Sequence, residues 1–373
     1  MQTRLNISAL EHFSELPDPR QRAKIIYPLR EIVLTSLCAI LCGADSYVEI
    51  EEFGKAKIEF LRRFCDFKNG IPSHDTFGIV FSNIDSKKFS ELFISWVKSL
   101  RESIPELVAI DGKTVRRSMD NETKPIHIVS AWASSQSLVI GQVKTEEKSN
   151  EIPAISELLS MLVLKGAIVT IDAMGCQKSI IKDILSKDAD YLIAVKGNQP
   201  TLHADIRTIF ESANSQTIPV AMQEHKTVDS DHGRIETRIY SVIDKVEWLS
   251  TREQWPGIRS IGSVLSVREQ AGKTTEETRY FISSLPADAQ KFAEAVRSHW
   301  TIENSLHWVM DIVFRDDECR VRKRHGPANL VTLKHITHNM LKSLPGRMSM
   351  RVRRKRAGWD DGFLANALGV LPK

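Results

Sequence analysis

Apolar side chains recur along the first hundred residues at intervals of three and four, the spacing of amphipathic helices. One such stripe lies between Pro28, which suits a first helical turn, and Gly43, which suits a helix end. Further along, Ser73 is placed to cap a second helix through Phe81. The pattern predicts an N-terminal helical domain over residues 1–104. Helix-turn-helix DNA binding and a purely structural bundle both remain open for it.

From residue 107 the apolar positions form short continuous runs, which are typical of buried strands. Two of these runs end directly in a carboxylate, Asp111 after the first and Asp172 after a later one. Strands and helical segments then alternate as far as residue 223. This alternation predicts a mixed α/β core whose first part spans residues 105–223.

The period changes to two over residues 224–286, where Val, Ile, Thr, Tyr and Arg alternate between Gly residues. Helical spacing returns at Asp288 and continues past Glu303. We therefore expect a small β-rich insertion over 224–286 and a resumption of the core over 287–342.

Composition excludes several classes of protein. Hydrophobic residues make up 42% and charged residues 26%, which is ordinary for a folded protein and excludes wholesale disorder. The longest apolar run, residues 32–43, is interrupted by Thr35 and Ser36 and is far shorter than the roughly 20 residues of a membrane span. The five cysteines form no CxxC pair, and no secretory signal is visible. A cytoplasmic protein without a membrane partner is expected.

Positive charge is concentrated near the C-terminus. The net charge is only +4, but residues 315–356 hold 13 Lys or Arg against three acids. The segment 343–373 contains the densest cluster, formed by Arg351, Arg353, Arg354, Lys355 and Arg356. Such a cluster favours contact with a phosphate backbone, and a solvated tail is the alternative.

Three carboxylates suggest a metal site. Asp111 and Asp172 close neighbouring strands of one predicted sheet, and ligand sites of α/β sheets gather at that edge. Glu303 lies in an apolar neighbourhood of the helical segment that begins at Asp288. Clustered carboxylates favour hard divalent cations such as Mg²⁺ or Mn²⁺, and a pair of such ions can catalyse phosphodiester chemistry. Alternatively, the aspartates cap turns and Glu303 is a surface residue.

Four sequence motifs and the N-terminal region resemble one protein family over nearly the whole chain. The motifs are residues 109–114 (AIDGKT), 170–177 (TIDAMGCQ), 195–199 (VKGNQ) and 297–308 (RSHWTIENSLHW). Residues 17–20, 41–44 and 70–76 match the N-terminal region of the same family. The chain resembles the H-repeat-associated transposases of bacterial insertion sequences.

The resemblance implies an RNase H-like catalytic core, interrupted by the β-rich insertion, with Asp111, Asp172 and Glu303 as a DDE triad that binds two Mg²⁺ or Mn²⁺ ions. The implied partners are double-stranded DNA, as terminal inverted repeats and target DNA, and further copies of the chain in a homodimer or higher oligomer. The implied location is the bacterial cytoplasm, at the nucleoid when DNA is bound. The wider insertion-sequence superfamily places Tyr, Arg and Lys around the Glu, where this chain has Val296, His299 and Met310.

Further DNA contacts are expected from basic residues beside the motifs. His299, Lys196 or Arg297 can replace the missing basic residue of the wider pattern. His299 and His307 flank Glu303 at a spacing of four. They can contact DNA phosphates, support the metal-binding carboxylates by hydrogen bonds, or bind a metal themselves, although imidazole suits zinc better than magnesium. Lys113, Arg116 and Arg117 follow Asp111 closely in the chain and are candidates for positioning a phosphate. Arg234 and Arg238, near the predicted turn His232-Gly233, are further candidates, and an ordinary hairpin turn is the alternative there.

These features together predict a DDE transposase that cleaves DNA and transfers the free 3′ end. A second hypothesis is a domesticated remnant that binds DNA without cutting it. A third is a metal-dependent hydrolase of a small phosphate ester, against which the large helical and basic flanks argue.

Overall fold

A computed structural model describes residues 7–100, 103–119, 124–145, 151–217, 220–231 and 233–369. The N-terminal part is helical, as the sequence predicts. Helix α2 follows Pro28 directly and ends before Gly43, whose φ of 110° requires glycine. The Ser73 side chain accepts a hydrogen bond from the Thr76 N–H at the start of α5. The helices are α1 (Ser8–His12), α2 (Leu29–Leu41), α3 (Tyr47–Ala56), α4 (Ile58–Leu61), α5 (His74–Asn83) and α6 (Ser86–Leu100).

The core sheet begins with three antiparallel strands followed by two parallel ones. They are β1 (Leu107–Thr114), β2 (His127–Ala133), β3 (Leu138–Thr145), β4 (Ile168–Ile171) and β5 (Asp190–Val195). Their order is β3-β2-β1-β4-β5, with β1 parallel to β4 and β4 parallel to β5. Helices α7 (Glu151–Met161), α8 (Lys178–Leu185) and α9 (Pro200–Asn214) connect and flank these strands. This strand order and direction are those of an RNase H-like core, as expected.

The β-rich segment continues the core sheet. Its strands are β6 (Gln223–Asp231), β7 (Arg234–Ile243), β8 (Ser260–Gln270) and β9 (Lys273–Ser283). Strand β9 pairs antiparallel with β5, and the nine strands form one sheet in the order β3-β2-β1-β4-β5-β9-β8-β7-β6. The expected small β-rich insertion therefore extends the core sheet, because backbone hydrogen bonds join β9 to β5.

The chain resumes with α10 (Ala289–His299), a π-helical turn over Glu303–His307, and α11 (Trp308–Ile312). Helices α12 (Gly326–Lys342), α13 (Met350–Trp359) and α14 (Asp361–Ala367) complete the described structure. No helix in the described ranges is long and apolar enough to cross a membrane.

Helix α12 joins the N-terminal helices to the sheet. The Asn329 side chain donates hydrogen bonds to the Phe81 and Ile84 carbonyls at the C-terminal end of α5. The Asn339 side chain donates to the Val139 carbonyl of β3. Almost every residue of α12 is buried. The N-terminal helices, the sheet and the C-terminal helices consequently share one hydrophobic core.

Candidate active site

Asp111 and Asp172 lie side by side at one edge of the parallel strand pair. Ile110 and Ile171, the residues before them, are register partners of β1 and β4. One carboxylate oxygen of Asp111 accepts a hydrogen bond from the Gly112 N–H at 2.9 Å. Asp172 caps the short turn that follows β4 by accepting the N–H groups of Met174 and Gly175 at 3.0 and 3.4 Å. The paired strands thus bring the two predicted aspartates together.

Glu303 approaches the same edge from the helical segment that follows α10. Helix α10 is anchored to β4 by a 3.0 Å hydrogen bond between the His299 ring and the Thr170 hydroxyl. Glu303 then opens the π-helical turn, a departure from α-helical geometry that often marks functional sites. All three carboxylates line one cavity of about 160 Å³, together with Lys196, Arg279 and Trp300.

Burial and mutual repulsion raise the pKa values of the three carboxylic acids. The pKa of Asp111 rises to about 7, chiefly through burial, and the charges of Asp172, Glu303 and Glu151 add to this rise. Burial and the Glu151 charge raise the pKa of Asp172, against its two backbone N–H donors and the positive charge of Lys196. Burial raises the pKa of Glu303, while the Arg279 charge opposes that rise.

The donor chemistry of this cavity suits a hard divalent cation. Its acidic side chains offer carboxylate oxygens, which Mg²⁺ and Mn²⁺ prefer, and a cation would relieve the repulsion that raises their pKa values. Among the described residues, however, no three His, Cys, Asp or Glu side chains are close enough together to hold an ion. Cation binding would therefore have to draw the carboxylates closer.

The two histidines beside Glu303 face the carboxylates. The His307 Nδ1 lies 3.4 Å from an Asp111 carboxylate oxygen, and the His299 ring contacts Thr170 on the neighbouring strand. Burial lowers the pKa of each imidazole to about 4, so both are neutral at pH 7. A neutral imidazole that packs against β1 or β4 carries no charge to attract a phosphate, so the expected DNA contact does not fit His299 or His307. Their position fits support of the carboxylates.

The basic residues nearest the carboxylates differ in how far they are already neutralised. The Lys113 ammonium pairs with Asp311 at 2.5 Å and Asp317 at 3.4 Å. Because two carboxylates already neutralise it, Lys113 is a weak candidate for binding a phosphate. Arg116 lies 3.4 Å from Asp317 with 79% of its side chain exposed, and Arg117 is also exposed. Lys196 is exposed at the cavity itself.

The arginines of the β-rich segment and of α10 lie further out. Arg234 and Arg238 both pair with the buried Glu236, at 3.2 and 2.7 Å. Arg234 directly follows Gly233, which has a φ of 72°, and Arg238 lies four residues further along β7; His232 lies outside the described residues. Arg297 is 48% exposed and 3.6 Å from Asp229. Arg234 and Arg297 remain candidates for DNA contact.

The C-terminal basic cluster divides into two kinds of residue. Arg353 donates to the carbonyls of Leu341, Leu344 and Gly346, and Arg354 donates to those of Ile40, Val313 and Ala44. Both are 5% exposed. Their expected contact with DNA does not fit this placement, since their guanidinium donors already bind the protein's own carbonyls. Arg351, Lys355 and Arg356 are exposed on α13.

The sequence did not single out Arg279 or Glu151. Arg279 lies on β9, where its guanidinium packs 4.8 Å from the Trp300 ring centroid beside Glu303. Glu151 is buried at the start of α7 and acts electrostatically on both aspartates. The alternating pattern of β9 predicts a strand but does not show that Arg279 reaches the site. Glu151 follows Glu146 and Glu147 closely, so nothing in the sequence distinguishes it from other acids of the same segment.

Comparison with known proteins identifies the family. A family model described as "Transposase DDE domain" matches residues 102–340, and one described as "DDE_Tnp_1-associated" matches residues 10–97. The "H repeat-associated putative transposase YhhI" of Escherichia coli strain K12 is 40% identical over 96% of this chain and 97% of its own length.

Two further relatives from the same species match over different lengths. The "Putative transposase YncI" of Escherichia coli O157:H7 is 41% identical over 97% of this chain and 94% of its own length. The "Inactive transposase YbfQ" of strain K12 is 44% identical over 20% of this chain and 87% of its own length. The family model covers most of the chain, and YhhI and the O157:H7 YncI match it almost end to end, so the protein belongs to the DDE transposase family.

Proposed function

We propose that this protein is an active transposase of a bacterial insertion sequence, cutting DNA at the element's ends and joining those ends to target DNA. The observation that carries the proposal is the convergence of Asp111, Asp172 and Glu303, from β1, β4 and the π-helical turn, on one cavity. Bringing three mutually repelling carboxylates to one cavity is costly, and a bound cation would offset that cost.

The three carboxylates would hold two Mg²⁺ or Mn²⁺ ions. When bound, such ions activate the attacking oxygen and stabilise the leaving oxygen of a phosphodiester. In the first step a water oxygen forms a bond to phosphorus while the bond to the 3′ oxygen breaks. In the second step the freed 3′-hydroxyl forms a bond to a phosphorus of target DNA, and that phosphodiester releases its own 3′ oxygen. No covalent enzyme–DNA bond is required.

Lys196 and Arg279 would bind the non-bridging oxygens of the reacting phosphate. Both line the cavity, and their positive charge already acts on Asp172 and Glu303 respectively. Arg279 stacks on Trp300 and donates two 2.9 Å hydrogen bonds to Glu277, so binding a phosphate would require its guanidinium to exchange part of the Glu277 contact. Of His299, Lys196 and Arg297, the candidates for the missing basic residue of the wider superfamily pattern, Lys196 has the best position, because it is exposed at the cavity while Arg297 lies 3.6 Å from Asp229.

A cleft would guide the DNA towards the cavity. It lies beside residues 303–312, the π-helical turn and α11, which we call the Glu303 segment. It measures about 670 Å³ and its lining includes Asn304, Trp308, Lys342, Arg347 and Arg351. Trp308 is 57% exposed. Exposed cations next to an exposed aromatic ring suit a nucleic acid strand, with phosphates on the cations and a base on the ring.

Cleavage of end-containing DNA tests the proposal. Asp111→Asn, Asp172→Asn and Glu303→Gln should each lower Mg²⁺- or Mn²⁺-dependent cleavage at least about a hundredfold, since each removes charge stabilisation from the transition state. Glu294→Gln, on the exposed face of α10, is the matched control and should cut normally. Wild-type cleavage by any triad variant would remove that residue from the site.

The same assay decides the alternative of a DNA-binding remnant, which is suggested by a relative whose name describes it as inactive. A wild-type protein that binds the terminal repeats specifically but cuts them with neither Mg²⁺ nor Mn²⁺ would overturn the proposed activity and support the remnant.

A further inference from the structure

A second acidic side chain lies buried behind Asp111. Glu151, the first residue of α7, is 4% exposed, and His127, the first residue of β2, is 2% exposed. The His127 Nδ1 is fixed by the Thr114 hydroxyl at 3.0 Å, and its Nε2 lies 3.4 Å from the Glu151 carboxylate. Among the described residues neither that Nε2 nor that carboxylate oxygen makes a hydrogen bond of good geometry.

The glycine after Asp111 makes room for this carboxylate. A methyl group on Gly112 would lie 2.7 Å from a Glu151 carboxylate oxygen and 2.2 Å from the His127 Nε2. Neither distance is tolerable for a carbon atom. Gly112 thus lets Glu151 approach the β1 backbone one residue after Asp111, from the face of the sheet opposite the Asp111 side chain. At this level along β1 the Glu151 carboxylate is next to the strand residue that carries the proposed cation ligand.

The charge of Glu151 acts on both aspartates in this arrangement. Its charge contributes to the raised pKa of Asp111, and after burial it is the largest cause of the raised pKa of Asp172. Burying a carboxylate beside two others is costly unless a cation balances it. In the described part of the chain the group within ion-pair distance of Glu151 is the imidazole of His127, while no Lys or Arg reaches it.

We propose that Glu151 is a fourth oxygen ligand of the divalent cation site formed by Asp111 and Asp172. The inference rests on the proposed function, because it adds a residue to that same site. His127 would be a positioning residue that holds the Glu151 side chain, and Gly112 would keep the path to the cation open.

Mn²⁺ binding to the full-length protein without DNA tests this assignment. In calorimetric titrations we expect Glu151→Gln to weaken Mn²⁺ binding at least about tenfold. Glu151→Asp, which keeps the carboxylate on a shorter side chain, should restore part of that loss. Glu157→Gln changes the same helix where the side chain is 39% exposed and paired with Lys87, and it should bind Mn²⁺ like the wild type.

Thermal unfolding without metal separates a ligand from a structural residue. A ligand carboxylate repels Asp111 and Asp172 in the metal-free protein, so Glu151→Gln should leave the melting temperature unchanged or higher. Unchanged Mn²⁺ affinity in a folded Glu151→Gln protein would overturn the inference. So would a lowered metal-free melting temperature together with no partial rescue of binding by Glu151→Asp.

The same titrations distinguish failure of the inference from failure of the proposed function. If Asp111→Asn and Asp172→Asn abolish Mn²⁺ binding and Glu151→Gln does not, only the fourth ligand is wrong. If the two aspartate variants bind Mn²⁺ like the wild type, the proposed cation site itself is wrong, and the assignment of Glu151 is overturned with it.

Discussion

At the scale of single residues, neighbouring basic side chains of α13 have unlike surroundings. Arg354 donates to three backbone carbonyls, pairs with Asp45 at 3.0 Å and packs 4.4 Å from the Phe314 ring centroid. Its planar fork joins α2 and α13 to the end of the Glu303 segment. The adjacent Lys355 is exposed. The first residue stabilises the fold, and the second is available to a partner.

Arg354→Lys should therefore lower the free energy of unfolding by about 3 kcal/mol, because a single ammonium cannot replace the forked donors and leaves buried carbonyls unsatisfied. Lys355→Gln, the control one residue away, should change it by no more than about 0.5 kcal/mol. Chemical denaturation measures both. Equal stabilities for the two variants would contradict the structural role of Arg354.

Sequence alone finds carboxylates that follow buried apolar runs, and it misses side chains whose role depends on burial. Asp172 directly follows the end of β4 as predicted, whereas β1 continues past Asp111 to Thr114, because the predicted strand end was placed where the apolar run stops. Arg353 and Arg354 were not separable from Arg351, because position along a basic helix does not show which residues face the interior. Glu151 follows other acids, and only the close approach at Gly112 distinguishes it.

At the scale of elements, α12 contains two buried histidines. Burial lowers the pKa of His335 to about 3 and that of His338 to about 4, against about 6.5 in an unfolded chain. Below pH 6.5 the unfolded chain therefore binds more protons than the folded protein. The stability that depends on these two neutral rings is complete above pH 6.5 and falls as the pH falls towards 4.

Each of these histidines should contribute a slope of about 1.4 kcal/mol per pH unit between pH 6 and 4.5. His335→Gln keeps a donor for the Gln142 side chain but cannot titrate, and it should reduce the slope by about that amount. Denaturant unfolding across this pH range provides the measurement. A variant with the wild-type slope would mean that the His335 ring is protonated in the folded protein.

The elements themselves were largely predictable, because helical and strand periods differ and because Pro28, Gly43 and Ser73 mark helix ends. The π-helical turn at Glu303 was not. A spacing of four between His299, Glu303 and His307 predicts a continuous α-helix, whereas a change of hydrogen-bond register within one helix leaves no mark in the pattern of apolar residues.

At the scale of the whole molecule, exposed positive charge is spread over surfaces from several segments. Arg351, Lys355 and Arg356 on α13 belong to one such surface, and Arg351 also lines the cleft beside the Glu303 segment. Phosphate contacts release counterions and make affinity fall with salt, by a slope of about 0.9 for each contact.

Replacing Arg351, Lys355 and Arg356 by Gln should weaken binding to all duplex DNA and flatten the dependence of log affinity on log salt by up to about 2.7. Preference for the element's ends over random DNA should change little. Lys165→Gln is the control, because this exposed lysine lies beyond the opposite edge of the parallel strands. Salt titrations on both DNAs decide the matter, and an unchanged slope would exclude α13 from the DNA surface.

The order of parts along the chain was predictable, whereas their assembly was not. The sequence indicated helices, a core, a β-rich segment, the resumed core and a basic end. Pairing of β5 with β9 joins residues 192 and 283, and such long-range backbone hydrogen bonds are not encoded in local patterns. The basic end likewise appeared as a possible tail, but α13 and α14 pack into the common core.

The convergence of strand and helix on one cavity also bears on protein synthesis. Asp111 and Asp172 leave the ribosome early, while Glu303 and the buried helix α12 emerge near the end of translation. If the three carboxylates form the cutting site, a nascent chain cannot damage the chromosome that encodes it. A stop codon or frameshift upstream of codon 303 would yield a product that lacks the third carboxylate, and such a product would be unable to cut DNA at this site.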